Sequence, residues 1–525
     1  MLFLKNARVL TLDDSNTIAD SVLIEDDIIL AVECEEKIGD FPQSTQVVDL
    51  RGATVIPGLV DSHLHLLHYA QSLAILDCDT SERQACLDKV TSATKTTKVG
   101  EWIRGHGWNS NRWKENYVHK KLLDKIAPNH PVYLSNKSLH GAWVNSKALE
   151  LCGINSNTPD PEGGKIGRDE HGHPNGLLYE SAVTLVTDQF TEVTDQEAIQ
   201  LIDAAQHRLF QYGITTVHDF DRIISFKALQ ALEQDGLLKL RVIKSLPVES
   251  IDEVISLGLR SGFGSPHLTY RHIKAFMDGA LGTKTAAMLK PYENTKERGM
   301  LLIKPEELWD LVKKASINHL QLAIHSIGDL ANRVVIETFQ KLRKWEEEHD
   351  IISLPHRIEH LQTCDLSDIQ KLARLNVIAS VQPIHLASDV PAAEKWLGER
   401  CVGTYVFNSL LQANTPLIFG SDAPVELPDC MLGIHTAVHR TQRDNTPEDG
   451  WQPQEKLSPL DALKGFTRTP HQCFPVNGAK LGQLSPGFQA DLVVLDRFPF
   501  DPEEDSFKDI KIFKTMIDGQ WVWEG

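Results

Sequence analysis

The stretch VIPGLVDSHLH, residues 55–65, decides the fold. It starts apolar with Val55, Ile56, Pro57, Leu59 and Val60, and it ends in Asp61, Ser62, His63 and His65. A short apolar run that stops in histidines reads as a buried strand whose end reaches a site. Alternate residues of a strand point to one face, so His63 and His65 can grip one metal ion. The motif alone is weak. With 22 His in 525 residues, about one His-x-His arises by chance. A second pair, His171 and His173 in DEHGHPNG, reads as a solvated turn. Context has to separate the two.

Downstream the chain keeps a regular rhythm: an amphipathic helix, a Gly or Asn, then a short buried strand. In QEAIQLIDAAQHRLFQYG, Ala198, Leu201, Ile202, Ala205, Leu209 and Tyr212 fall at helical spacing, and Gly213 can end the helix before ITTVHDF. PEELWDLVKKASINHL begins with Pro305 and is followed by QLAIHSIGD. The strands in order are VIPGLVDSH, ITTVHDF, RVIKSL, HIKAFMDG, QLAIHS, HRIEHL, VIASVQP and PLIFGSDA. Alternating helices and strands give a parallel sheet, and eight strands is the number a (β/α)8 TIM-like barrel needs.

Two regions break the rhythm. Residues 70–200 form a long excursion after the first strand, with short strands at WIRGHGW and PVYLSNKS and a Gly-rich turn at DPEGGKIGRD. The two ends read as short strands with turn chemistry such as Asp518-Gly519. Neither end has enough strands for a stable sheet of its own. We therefore expect one small β-sandwich domain from residues 1–56 plus 478–525. The barrel would span 57–477, with a subdomain inserted at about 70–200.

Composition narrows the function classes. The chain has 53 basic and 72 acidic residues, a net charge of −19. That excludes nucleic acid as the main partner, because phosphate binding needs a basic footprint. It argues against an anionic membrane surface as well. No signal-peptide core and no run of ~20 apolar residues is present. The eight cysteines are scattered with no C-x-x-C pair, which points to reduced thiols in a cytoplasmic protein. A small molecule is the expected partner, and a homodimer is the default oligomer.

Reading each strand to its C-terminal end yields His63 and His65 on the first, Lys274 on the fourth, His325 on the fifth, His360 on the sixth and Asp422 on the eighth. Active sites of such barrels lie at that face. Taken singly, a strand-end histidine is more often a hydrogen-bonded structural residue, and Asp422 in FGSDAP reads equally as a turn residue. Lys274 is more telling, because an unpaired charged lysine inside an apolar strand is costly. The ordered set is the argument.

That order resembles the amidohydrolase superfamily. More closely, the chain is similar to its YtcJ-like branch, which includes N-substituted formamide deformylases. The resemblance rests on VIPGLVDSHLH, EWIRGHGWN, HGAWVNSKAL, GLLYE, YGITTVHDF, KAFMDGALGTKTAA, AIHSIGD, HRIEHLQ, SVQPIHLASD, FGSDAPVE, LSPLDALKGFTRTP and LGQLSPGFQADLVVLD, and so spans the whole chain. It implies a barrel with a β-sandwich from both termini. It also implies two divalent metal ions, with His63, His65 and Asp422 on the first, His325 and His360 on the second, and Lys274, carboxylated by CO2, bridging them. Imidazole and carboxylate ligands suit zinc. The implied reaction is attack of a metal-bound hydroxide on a non-peptide C–N bond (an amide, formamide or cyclic amide), with Asp422 as proton shuttle.

Further candidates lie nearby. His140 in HGAWVN and His385 in QPIHLASD could help hold a developing oxyanion. Trp108, with Trp102, Trp113 and Trp143, could wall an apolar substrate pocket or form the core of the inserted subdomain. Asp278 is a candidate to position Lys274, His218 and Asp219 to orient neighbours, and His68 to pack. Two rivals remain. One is a mononuclear deaminase of a ring amine, which generally lacks the bridging lysine. The other is a catalytically silent scaffold or regulatory protein on the same fold, which has no need of all six ligands.

Overall fold

The structure is a computed structural model describing residues 1–38, 41–110, 113–115, 117–190, 193–372, 374–500 and 507–525. Its centre is a parallel barrel. The strands are β1 (Leu59–Leu64), β2 (Ile214–Asp219), β3 (Arg241–Pro247), β4 (Leu268–Phe276), β5 (Gln321–Ser326), β6 (His356–His360), β7 (Val377–Val381) and β8 (Leu417–Phe419). These are the eight strands read from the sequence, and they neighbour one another in chain order. Past the end of β8, Leu64 bridges Ala423 in parallel. The Asp422 N–H donates to the His63 carbonyl at 2.6 Å, and the His65 N–H to the Ala423 carbonyl at 2.8 Å.

The helices between the strands follow the expected periodicity. Asp195–Phe210 starts with a Thr194–Glu197 capping box and buries Ala198, Ile202, Ala205 and Leu209. Gly213, just past its end, has φ 74°, and a Cβ there would crowd Leu59 and Val493. Glycine is needed both for the left-handed turn and for the close approach of β2 to the terminal sheet.

Both chain ends build one sandwich. One sheet is N-terminal throughout, ordered Ile28–Glu33, Ser21–Glu25, Leu2–Lys5, Gln46–Asp49. The other mixes the termini: Gln520–Glu524, Ile512–Ile517, Leu492–Leu495, Thr54–Pro57, Arg8–Leu10, Ile18–Ala19. Leu4, Val9, Ile24, Val55, Leu492 and Met516 fill the space between. The strand Thr54–Pro57 pairs antiparallel with Leu492–Leu495, and one residue later the chain enters β1. The quoted stretch is therefore two strands, one in the sandwich and one in the barrel.

The excursion after β1 carries a six-stranded sheet ordered Gly164–Arg168, Pro174–Glu180, Gly141–Val144, Val132–Asn136, Ile103–Trp108, Leu76–Asp77. The Gly-rich DPEGGKIGRD was expected to be all turn. Instead Gly164–Arg168 is a strand, because pairing with Pro174–Glu180 outweighs glycine's weak strand preference. His171 and His173 do sit in an exposed turn, where Asp169 Oδ1 accepts both backbone N–H groups.

Arg241 ties the barrel to the sandwich. Its fully buried guanidinium grips Asp491 at 2.7 and 3.0 Å and also meets Asp518. Removing one member of a buried pair strands the other charge. Arg241→Met is expected to destabilise the protein by about 3–5 kcal/mol. The check is the midpoint of thermal unfolding, which should fall clearly below wild type; an unchanged midpoint would contradict the pairing.

Candidate metal centre

The six residues expected at the strand ends meet at one place. His63 lies near the end of β1, and His65 caps the helix Leu66–Ser72 that follows. Lys274, His325 and His360 stand at or near the ends of β4, β5 and β6, and Asp422 follows β8. The His63 and His65 Nε2 atoms lie 3.5 and 3.4 Å from Asp422 Oδ1. The ring of His360 is 5.0 Å from that of His63 and 4.5 Å from that of His325. Ligand-capable atoms of His63, His360 and Asp422 all fall within 4.8 Å of one another. His360 and Asp422 have φ of 71° and 59°, a strained conformation for non-glycine residues that concentrates at functional sites.

Each of the four histidines has one ring nitrogen facing a protein oxygen. His63 Nδ1 meets Glu359 Oε2 at 2.6 Å, and His65 Nδ1 faces Asp221 Oδ1 at 3.5 Å. His360 Nδ1 meets the Gln382 amide oxygen at 2.8 Å, and His325 Nε2 meets the Gly279 carbonyl at 3.2 Å. An acceptor on one nitrogen places the proton there and leaves the other nitrogen's lone pair for a metal. The donor set thus fits divalent cations. Burial also keeps the rings uncharged: it pushes His63 down to about 4, and His325 and His360 well below the usual imidazole range. His65 differs. Burial acts to lower it, but hydrogen bonds to Asp221 and Asp422 prevail and raise it to about 9.

Lys274 is buried, with Nζ 4.6 Å from the Phe220 ring centre and 4.9 Å from that of Phe276. Among the described residues no carboxylate reaches ion-pairing distance of it. Burial pushes the ammonium down to about 8, against the nearby charges of Glu359 and Asp422. Near neutral pH part of it is then a free amine.

Above the cluster lies a cavity of about 1500 Å³ between the barrel and the inserted sheet. His325, His360 and Asp422 line its floor, and His140 and Glu180 come from the inserted subdomain. His385 lines it too, with Nε2 on the Ser421 carbonyl at 3.1 Å and its ring 6.4 Å from that of His360. Trp108 touches the cavity, but its ring packs against Trp113 and Trp143 and its N–H goes to the Leu134 carbonyl at 2.8 Å. These three tryptophans belong to the subdomain core. Trp102 packs edge-on against Phe190 elsewhere in the subdomain.

The sequence profile of the amidohydrolase family matches residues 46–523. The chain belongs to this amidohydrolase family. It is 32% identical to Protein LONG AFTER FAR-RED 3 of Arabidopsis thaliana, over 99% of this chain and 91% of that protein. It is 31% identical to the putative amidohydrolase YtcJ of Bacillus subtilis (strain 168), over 96% of each. It is 27% identical to the N-substituted formamide deformylase of Arthrobacter pascens, over 100% of this chain and 98% of that one. The branch is thus the one the motifs indicated. Among solved structures, an uncharacterized metal-dependent hydrolase from Pyrococcus horikoshii OT3 superposes with a TM-score of 0.77 at 28% identity, covering 96% of this chain and 99% of that one.

Two expectations about this amidohydrolase need correction, and a third holds. Among the described residues Asp278 makes no bond to Lys274. It accepts N–H groups from Ala287, Ile327 and Gly328, and so pins the loop after β4 to the end of β5. His68 is not packed away: its side chain is half-exposed and its Nδ1 bonds Asp221. The ligand-capable atoms of His65, His68 and Asp221 also form a close group. His218 and Asp219 do hold neighbours: His218 meets Arg357, while Asp219 takes Lys244 at 2.7 Å and the Leu66 N–H at 3.0 Å.

Glu359, Arg357, Asp221 and Gln382 escaped the sequence reading. A signal existed for two of them. In HRIEH, strand alternation puts Arg357 and Glu359 on the face opposite His356. His356 stacks on Phe339 outside the barrel, so a buried Arg–Glu pair faces the interior. Arg357 grips Glu359 and also donates to the Ser62 carbonyl at 2.6 Å and Ser380 Oγ at 2.7 Å. Glu359 is thereby fixed where it holds His63. Glu359→Gln keeps the shape but removes the charge that holds the Nδ1 proton. It is expected to weaken metal binding about 10–100-fold, measured by chelator competition on purified protein; unchanged affinity would contradict the orienting role.

Proposed function

We propose that the protein hydrolyses a non-peptide C–N bond, in a formamide, an N-acyl amine or a cyclic amide, at a binuclear metal centre. The observation that carries this is the close group of ligand-capable atoms from His63, His360 and Asp422, all within 4.8 Å of one another, with His65 Nε2 3.4 Å from the same Asp422 oxygen and the His325 ring beside that of His360. His63, His65 and Asp422 would hold one divalent ion, suited to zinc, and His325 and His360 the second. Lys274 Nζ would add to CO2 and release a proton, giving a carbamate with two oxygens to join them; its buried, partly neutral amine favours that addition. Such ions acidify water and polarise a carbonyl. The formamide class is supported by the likeness to the Arthrobacter N-substituted formamide deformylase.

The chain's own residues supply the rest. Asp422 Oδ1 faces His63 and His65, so Oδ2 is the atom that takes the water proton and passes it to the departing nitrogen. Glu359, Asp221, Gln382 and the Gly279 carbonyl keep the four imidazoles in the ligating tautomer. The inserted subdomain roofs the cavity and limits access of bulk water.

Asp422→Asn retains an oxygen ligand but loses the base. It is expected to keep at least one metal ion and to lose turnover about 10²–10⁴-fold. The assay is amine release from a panel of N-formyl, N-acyl and cyclic amides, with metal measured on the same samples. Full turnover with metal retained would remove Asp422 from the proton path, and no turnover by wild type on any panel member would remove the reading itself.

A further inference from the structure

We propose that Asp389 anchors a cation subsite in the cavity wall, and that the protein takes amides whose amine half carries a second, positively charged amino group. This rests on the C–N hydrolysis reading above and names the substrate class for it.

The placement comes from one helix. Pro383 starts the helix Pro383–Leu397, which follows β7. His385, Ser388, Asp389 and Ala392 fall at i, i+3, i+4 and i+7, the spacing of a single helical face, and all four line the cavity. The His385 ring lies 6.4 Å from that of His360. Asp389 stands one turn further on, roughly 6 Å beyond His385 along the helix axis. The ligand cluster and this carboxylate therefore open on the same space, separated by the length of a short aliphatic chain.

Its charge sets Asp389 apart. Among the described residues, every other carboxylate that lines the cavity has a basic side chain at ion-pairing distance. Glu426 meets Lys137 at 2.9 Å, Glu180 meets His140 at 2.8 Å, Glu297 meets Lys284 at 2.8 Å, and Asp422 faces His63 and His65. Asp169 and Glu170, at the exposed turn, lie 3.5 and 3.6 Å from His173 and His171. Asp389 has no such partner among the described residues. His385, one turn earlier, places its Nε2 on the Ser421 carbonyl instead.

The carboxylate is held with one oxygen to spare. Asp389 Oδ2 accepts from the Tyr405 hydroxyl at 2.7 Å and from the Gln362 amide at 3.0 Å. Two donors on one oxygen fix its direction and favour the ionised form. Oδ1 accepts no hydrogen bond among the described residues. Burial acts against the charge and pushes the carboxyl above its usual range. A cation at Oδ1 would offset that penalty.

An organic ammonium suits this place better than a metal ion. Hard divalent ions take about six or more oxygen ligands. Here one carboxylate oxygen is on offer, and the neighbouring Ser388 hydroxyl is already given to Glu426 at 2.7 Å. An ammonium brings its own hydrogens, and one charge-assisted bond with water on the remainder satisfies it. Asp389 makes and breaks no bond. It holds the far end of the substrate equally in the ground and transition states, so its loss acts on KM rather than kcat.

Two measurements on full-length, metal-loaded protein test the subsite. The first needs no turnover: n-hexylammonium and the neutral n-hexanol are each titrated calorimetrically. Wild type should bind the ammonium about 10–100-fold more tightly. Asp389→Asn should bind the two alike, and Asp389→Glu should keep the difference. The second compares mono-N-formyl hexanediamine with N-heptylformamide, its neutral match in length. Wild type should favour the charged formamide about 10–100-fold in kcat/KM, and Asp389→Asn should erase the difference by raising KM for the charged one. Equal binding of ammonium and alcohol by wild type overturns the subsite without any variant, and so does a difference that survives Asp389→Asn. Equal kcat/KM on the two formamides by an active wild type overturns the substrate class. If wild type turns over neither formamide nor any member of the earlier panel, the hydrolysis reading fails and the amide class with it, while an Asp389-dependent ammonium affinity upholds the subsite.

Discussion

The hydrogen bond from the Asp422 N–H to the His63 carbonyl closes the barrel and assembles the site in one step. The two residues lie 359 positions apart in sequence, and their meeting requires every strand between them to be in register. Once the last strand pairs with the first, Asp422 Oδ1 sits beside both histidines of β1, and His325 and His360 follow from the strands between. A slip of one residue in any barrel strand would turn its inward side chains outward. Fold and chemistry are therefore one constraint.

Under that closure lies a charged interior that a purely structural barrel would avoid. Arg357 and Glu359 are fully buried beside His63, and Lys244 and Asp219 are fully buried close by. Burying charge is costly unless it is paired, and here the pairs are complete and end on the candidate ligands. Arg357 neutralises Glu359, and Glu359 orients His63. Asp221 takes the N–H groups of Leu67 and His68 and faces His65. Asp422 and Asp221 together draw positive charge onto His65, and a divalent ion at the free nitrogens would supply that charge instead.

Much of this was legible in the sequence, for physical reasons. Strand–helix periodicity exposed all eight barrel strands, because buried parallel strands are short apolar runs. The polar residues that end those runs stood out against their apolar background, so His63, His65, Lys274, His325, His360 and Asp422 could all be named. Residues that act through others were hidden. Glu359 and Arg357 belong to the inward face of β6, and nothing local says that their partners are His63 and Ser62, nearly 300 residues upstream. Asp221 and His68 lie in loop and helix, where polar residues are ordinary. Glu180 stood only inside the phrase GLLYE, and its bond to His140 depends on pairing within the inserted sheet and on Thr285 from the loop after β4. The strand Gly164–Arg168 was read as a turn because its glycines favour turns, while the pairing that overrides them comes from residues 174–180.

The central claim is that the C-terminal face of the barrel is a binuclear metal centre. Equilibrium dialysis of metal-stripped protein against zinc in bicarbonate buffer tests it most directly, with Lys274→Ala run alongside. The account predicts about two tightly held ions per chain in the wild type and fewer in the variant. One ion that is indifferent to Lys274 and to bicarbonate would contradict the bridged centre, and no tightly held ion would contradict the metal site altogether.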